Sequence, residues 1–107
     1  MKDIGALMKQ AQAMQEKLQD AQARLAATLI EGSSGGGMVK VTLSGAGALT
    51  AVAIDEGLMQ PGEGEVVADL VVAAHADAKR RLDEAQQDMM KQVAGPLAGM
   101  GLPGLKF

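Results

Sequence analysis

The chain has 107 residues, with no Cys, Trp or Tyr, one His and one Phe. That length suits one domain, and the missing cysteines exclude a disulfide framework, a Cys-based zinc site and a thiol nucleophile. Ten Lys and Arg against thirteen Asp and Glu leave a formal charge of −3, which excludes the strongly basic signature of a histone-like DNA-binding protein.

Apolar residues make up 48% of the chain, a globular proportion, but they are Ala, Val, Leu and Met, all small or flexible. With almost no aromatic bulk the core is thin, and a chain of this size hides only about two thirds of its unfolded surface. Completion of the apolar surface by a second subunit is therefore expected, and composition points to a small oligomeric interaction protein rather than an enzyme. Charge is uneven: residues 1–27 carry net +1, residues 28–63 net −3, residues 64–94 net −2, and Lys106 adds +1. Asp3 and Gly5 interrupt any signal-peptide pattern at the start. The longest apolar stretch, Val66 to Ala76, is broken by Asp69 and His75 and is too short to span a bilayer. A soluble, cytoplasmic protein is expected, with no membrane partner.

The first 27 residues read as one helix, because Ile4, Leu7, Ala11, Met14, Leu18, Ala21 and Leu25 alternate steps of three and four. A stripe so narrow on a helix so long needs a partner helix. From Thr28 to Asp55 the period changes to two. Thr28–Glu31 is a short strand and Gly32–Gly37 a flexible connection. Met38–Ser44 is a second strand with Val39, Val41 and Leu43 on one face. Gly45–Gly47 is a turn, and Leu49–Asp55 is a third strand with Val52 and Ile54 on one side. These five apolar residues are the candidates for the sheet core or a dimer interface. Pro61, Gly62 and Gly64 precede a second long helix, Glu65 to Ala94, whose stripe of Val67, Val71, Ala74, Ala78, Leu82, Ala85, Met89 and Val93 repeats every eleven residues. Gly95 and Pro96 are expected to stop it, so residues 1–94 form one α+β domain and residues 95–107 a flexible Gly/Pro-rich tail. Helices far longer than a three-stranded antiparallel sheet is wide must project beyond it.

No motif carries catalytic chemistry. Gly32–Gly37 lacks the Gly-Lys-Ser/Thr ending of a phosphate-binding loop and leads into a strand, so it reads as a hairpin loop. His75 has no second histidine, cysteine or nucleophile elbow to work with and reads as a solvent-edge or interface residue. The pairs Asp55-Glu56 and Asp83-Glu84 read as a turn and solvated surface. No cofactor, metal or small-molecule substrate is expected. Lys79-Arg80-Arg81 is the densest basic run, and its residues fan over about 200 degrees of helix. It reads either as local ion pairing, with Asp77 meeting Arg81 and Arg80 meeting Glu84 at four-residue spacing, or as a clamp on phosphates. Local composition favours the ion pairs. Lys2 and Lys9 share one helical face, as do Lys17 and Arg24.

The run Leu7-Met8-Lys9-Gln10-Ala11-Gln12-Ala13-Met14-Gln15-Glu16-Lys17-Leu18 resembles the opening helix of the YbaB/EbfC nucleoid-associated proteins. Gly36 to Gly45 with Val52-Ala53-Ile54-Asp55, Asp69 to Leu82, and the Gly-Leu-Pro-Gly-Leu-Lys-Phe ending extend the resemblance over nearly the whole chain, in order. The resemblance implies a homodimer of α-β-β-β-α subunits shaped like tweezers around a gap as wide as duplex DNA. It also implies a bacterial protein of the nucleoid that binds double-stranded DNA with little sequence preference, alters its conformation, and acts in gene regulation and nucleoid organisation. The residues that resemblance and surface charge nominate for DNA are Lys2, Lys9, Lys17, Lys79, Arg80 and Arg81. With a single phenylalanine, too little for a stacking platform, and no base-reading module, binding is expected through the duplex backbone, with a steep salt dependence. The alternative is a protein–protein adaptor gripping a protein partner with its helical arms, which the acidic balance and the Met/Ala/Leu stripes favour.

Overall fold

A computed structural model describes residues 3–98. The order is α1 (Asp3–Ala26), β1 (Leu29–Ser34), β2 (Val39–Ser44), β3 (Leu49–Ile54) and α2 (Gly64–Ala98), with single 3-10 turns at Gly35–Gly37 and Glu56–Leu58. The strands form an antiparallel meander in the order β1-β2-β3. The fold class is therefore the α+β arrangement that the periodicities indicate. The Cα radius of gyration is 20.1 Å and the long axis 74 Å, whereas a compact chain of this length has a radius of about 13 Å. The helices account for the difference.

Alternation along β2 decides the layering. Val39, Val41 and Leu43 point to one face and are fully buried, and α2 lies on that face with Ala74, Ala78 and Leu82 equally buried. Ile30, Ile54, Leu58, Leu70 and Val71 pack around these six. The eleven-residue stripe of α2, from Val67 to Val93, is buried or half-buried throughout, with Leu70 and Ala94 joining it from beside. A straight helix can keep one stripe toward two successive partners, the sheet first and α1 afterwards.

Two expectations need correction. Gly32, Ser33 and Ser34 are not a loop but the second half of β1, paired with Val41, Lys40 and Val39. Gly32 serves close approach rather than flexibility: a Cβ there would run into the Ala78 backbone nitrogen and the Ala74 carbonyl oxygen. The turn itself needs only Gly35, Gly36 and Gly37, three successive residues at positive φ (60°, 68° and 94°), a conformation costly for any residue with a Cβ. Second, α2 does not stop at Gly95 and Pro96 but runs on to Ala98. Proline's fixed φ is already helical, and so near the end its missing N–H forfeits a single bond. The remainder of the expected tail, 99–107, lies outside the described residues.

Val52, a candidate for the sheet core or a dimer interface, is 42% exposed in this subunit. The register sets Val52 opposite buried Val41, and Leu49 opposite buried Leu43 past a bulge at Thr42/Leu43. Both therefore lie on the core-side face, but α2 lies over β1 and β2, and of the core-side residues of β3 only Ile54 packs against the core. Gly32→Ala is expected to destabilise the fold by about 3 kcal/mol, since backbone rather than a yielding side chain blocks the new methyl. Gly5→Ala, where a Cβ meets nothing within 4 Å, should gain up to about 1 kcal/mol of helix propensity. Urea denaturation of the two variants checks both signs.

Candidate nucleic-acid interface

The two helices place the candidate cations at different distances from the sheet. α1 ends against it, where the backbone N–H of Gly45 donates to the carbonyl of Thr28 at 2.9 Å. From there α1 runs outward toward its amino end, antiparallel to the outgoing half of α2. Ala21, Leu25 and Ala26 line shallow surface grooves with Ala85, Met89, Met90 and Gln92. Lys17 and Lys9 are both exposed on this arm, about 12 Å apart along the axis. Neither joins an ion pair among the described residues. Lys2 lies outside the described residues.

Lys79, Arg80 and Arg81 sit over the sheet, between the buried residues Ala78 and Leu82. Each is tied to a neighbouring acid on α2. Lys79 Nζ meets Asp83 Oδ1 at 3.0 Å. Arg80 bridges Asp77 Oδ1 at 2.6 Å and Glu84 Oε1 at 3.1 Å, and Arg81 Nε reaches Asp77 Oδ2 at 3.3 Å. Both expected ion pairs form, with two further ones. The structure does not gather the six candidates into one patch. It sets one group on the projecting arm and another over the sheet.

Asp77 is the hub of the second group. Its Oδ2 also accepts the backbone N–H of Ser33 at 3.0 Å. This amide belongs to the free edge of β1, so the carboxylate stitches α2 to an edge that would otherwise offer itself to another strand. The Ser33 bond, then the Arg80 hydrogen bond and the charges of Arg81 and Arg80, hold the Asp77 carboxyl below its ordinary range. Asp77 in turn raises the Arg80 guanidinium above its ordinary value.

Sequence reasoning passed over two further cations. Lys91 lies on the outgoing half of α2, lining a shallow groove with Asp83, Gln86, Gln87 and Met90. Lys40 stands exposed on β2 and points away from the core-side face. Their signal in the sequence is only that they fall off the apolar pattern, which exposed lysines everywhere share. No group of three or more His, Asp or Glu suited to a metal occurs among the described residues, and no described helix is long and apolar enough to cross a membrane.

Comparison with known proteins adds an independent line. The model of the YbaB/EbfC DNA-binding family matches residues 1–97. A nucleoid-associated protein of Caulobacter vibrioides is 67% identical, covering 100% of both chains. One of Phenylobacterium zucineum is 66% identical over 98% of this chain and 99% of its own, and one of Maricaulis maris is 52% identical over 96% and 99%. The crystal structure of an uncharacterised protein from Helicobacter pylori superposes with a TM-score of 0.67 at 23% identity, covering 86% of this chain and 94% of that one. That likeness bears on the fold alone.

A carboxylate whose folded pKa is depressed stabilises the fold above its unfolded pKa, and loses that contribution as pH falls through the folded value. For Asp77 the stabilisation should be complete at neutral pH and fade below about pH 3.9, the ordinary aspartate value. Thermal unfolding of Asp77→Asn against the parent chain should show a gap near pH 7 that closes on acidification through that range.

Proposed function

This chain belongs to the YbaB/EbfC DNA-binding family, and from that premise we propose that, as a nucleoid-associated protein, it binds duplex DNA through the phosphate backbone as a homodimer. The observation that carries the proposal is the family match over residues 1–97. The geometry supports the mode of binding. Lys9 and Lys17 lie exposed on the projecting stretch of α1, and Lys79, Arg80 and Arg81 on the stretch of α2 that lies over the sheet, so the cations are strung along an elongated body rather than focused in a pocket. Such spacing suits a repeating polyanion and reads no base edges. The protein accordingly binds with little sequence preference and imposes its own shape on the duplex, in the service of nucleoid organisation and gene regulation.

Duplex phosphates must displace the exposed carboxylates that now hold Lys79 and Arg80. Exposed ion pairs of this kind are worth only about 0–1 kcal/mol each, so the exchange is cheap, and dense phosphate can outcompete Asp83 and Glu84. Lys9 and Lys17 need no such exchange.

Self-association is supported by the bare core-side face of β3. Leu49 and Val52 are exposed there beside a fully buried core, and a second copy laid on this face completes the thin interior. Val52→Glu should convert the dimer to a folded monomer, read by light scattering with circular dichroism as the check on folding.

Fluorescence anisotropy of a random-sequence duplex, titrated at several salt concentrations, tests the central reading. A log–log slope of about −3 to −6 is expected, and Lys9→Gln and Lys17→Gln should each shrink it by about one. Asp83→Asn with Glu84→Gln should tighten binding, while neutralising Lys79, Arg80 and Arg81 together should abolish it with the dimer intact. Absence of binding at low salt by an intact dimer would assign the arms to a protein partner instead.

A further inference from the structure

Helix geometry turns consecutive residues about 100 degrees apart, yet one carboxylate gathers both Arg80 and Arg81. Asp77 stands three positions before Arg80 and four before Arg81, the two spacings at which side chains meet on a helix. Its Oδ1 binds Arg80 Nη2 at 2.6 Å, and its Oδ2 binds Arg81 Nε at 3.3 Å. Lys79 is turned to another flank of α2 and pairs with Asp83 instead.

The three carboxylates around this run are not equivalent. The Asp83 and Glu84 side chains are 52% and 60% exposed, and each simply meets a cation across one turn of helix. The Asp77 side chain is 19% exposed, and its Oδ2 also accepts the Ser33 backbone N–H at 3.0 Å. An anchor on the main chain of β1 fixes this carboxylate, whereas exposed side chains move freely among rotamers. The Ser33 bond and the two arginines also keep its carboxyl below the usual range, so the charge persists at neutral pH.

The donors that Asp77 leaves open decide what the arginines can do. Arg81 is held at Nε, which leaves both Nη groups at the outer end of its fork. Those nitrogens suit two oxygens of one phosphate. Arg80 is held by Asp77 at Nη2 and by Glu84 at Nη1, so departure of Glu84 frees a donor while Asp77 keeps its grip. We propose that Asp77 is a positioning residue for DNA binding. Anchored on the Ser33 amide, it holds Arg80 and Arg81 together with their outer nitrogens free for duplex phosphate, and it stays in place when DNA binds. The inference rests on the reading that these arginines contact the duplex. It gives the acids of this run opposite roles. Asp83 and Glu84 compete with phosphate, while Asp77 reduces the entropy that two long side chains lose on binding.

Charge alone predicts the reverse sign for Asp77. It is a negative group beside two cations, so its removal would tighten binding, as removal of Asp83 and Glu84 does. Anisotropy titration of a random-sequence duplex is the test, with Asp77→Asn and Ser33→Pro beside the parent chain. Asp77→Asn offers one acceptor oxygen to three donors, and it should weaken binding about tenfold despite the lost negative charge. Ser33→Pro removes only the anchoring amide and leaves every charge in place. That amide faces away from β2, because Gly32 and Ser34 carry the bonds to Val41 and Val39. A proline there spares the ladder. It should also weaken binding about tenfold, with the salt slope unchanged because both arginines still reach phosphate. Loss of either arginine would instead lower the slope by about one.

Circular dichroism at the titration temperature separates a folding defect from a binding one. Tighter binding by folded Asp77→Asn, or unchanged affinity in folded Ser33→Pro, would overturn the inference and leave the DNA reading standing. A parent chain that binds no duplex at low salt would overturn both. The Arg81 Nε–Hε group supplies a readout without DNA. Its NMR signal should be visible in the parent chain at neutral pH and lost to exchange with water in Ser33→Pro. A signal already missing from the parent chain overturns the inference even where neither variant folds.

Discussion

At Gly32 the backbone of β1 lies directly against the backbone of α2, beside Ala74 and Ala78, with no room for a single methyl group. That contact sets the height and position of the long helix on the sheet. Because the close approach is on β1, α2 lies over β1 and β2 and not over β3. Val39, Val41 and Leu43 fill the layer between, and Leu82 closes its outgoing end. Asp77 ties down the same seam from outside through the Ser33 amide. A larger residue at position 32 or 78 would lift the helix off and open the core at its centre.

The direction in which α2 leaves the sheet follows from that seat, and the shape of the protein follows from the direction. α1 packs on the outgoing half of α2 and on little else, so the arm is a two-helix structure held by a narrow stripe of Ala, Leu, Met and Val. Stripes built from such residues bring helices close and tolerate small shifts. An arm with give in it suits a protein that must fit a polymer of irregular surface better than one that must hold a catalytic geometry to a fraction of an ångström.

Charge organisation reconciles an acidic chain with a polyanionic partner. Lys79, Arg80 and Arg81 are neutralised by acids one helical turn away, which leaves this stretch of α2 free of a strong basic field. The Lys79–Asp83 and Arg80–Glu84 pairs are exposed on both sides, so each is weak and screened by salt, whereas the Asp77 carboxylate is largely covered. On the proposed reading, affinity accumulates from several modest exchanges along an extended surface. A tight binder of one site would instead need a preorganised, unpaired basic pocket, and the described residues contain none.

Much of this architecture was legible in the residues alone. The step from three-and-four spacing to alternation and back located both helices and all three strands, and the eleven-residue stripe marked most of the buried face of α2, missing Leu70 and Ala94. Ion pairs at four-residue spacing were legible too, since helix geometry brings such side chains together regardless of tertiary context. Gly32 was misread because glycine is used for two unrelated reasons, freedom of φ and absence of volume, and only the neighbouring helix shows which applies. Val52 alternates as a core residue does, yet is exposed, because alternation reports which face a residue occupies and not how far the covering helix extends. Pro96 looked like a stop because its chemistry forbids a bond, while the cost of that bond depends on how near the helix end it falls. Local periodicity is written into short stretches of chain by the geometry of helix and strand, so the sequence by itself determined the elements, their buried faces and their local salt bridges. The seating of α2, the bare edge at β3 and the separation of the basic groups were decided only by the tertiary structure. They arise from contacts between residues far apart in the chain, such as Ser34 with Leu70 and Ser33 with Asp77, which no local pattern encodes.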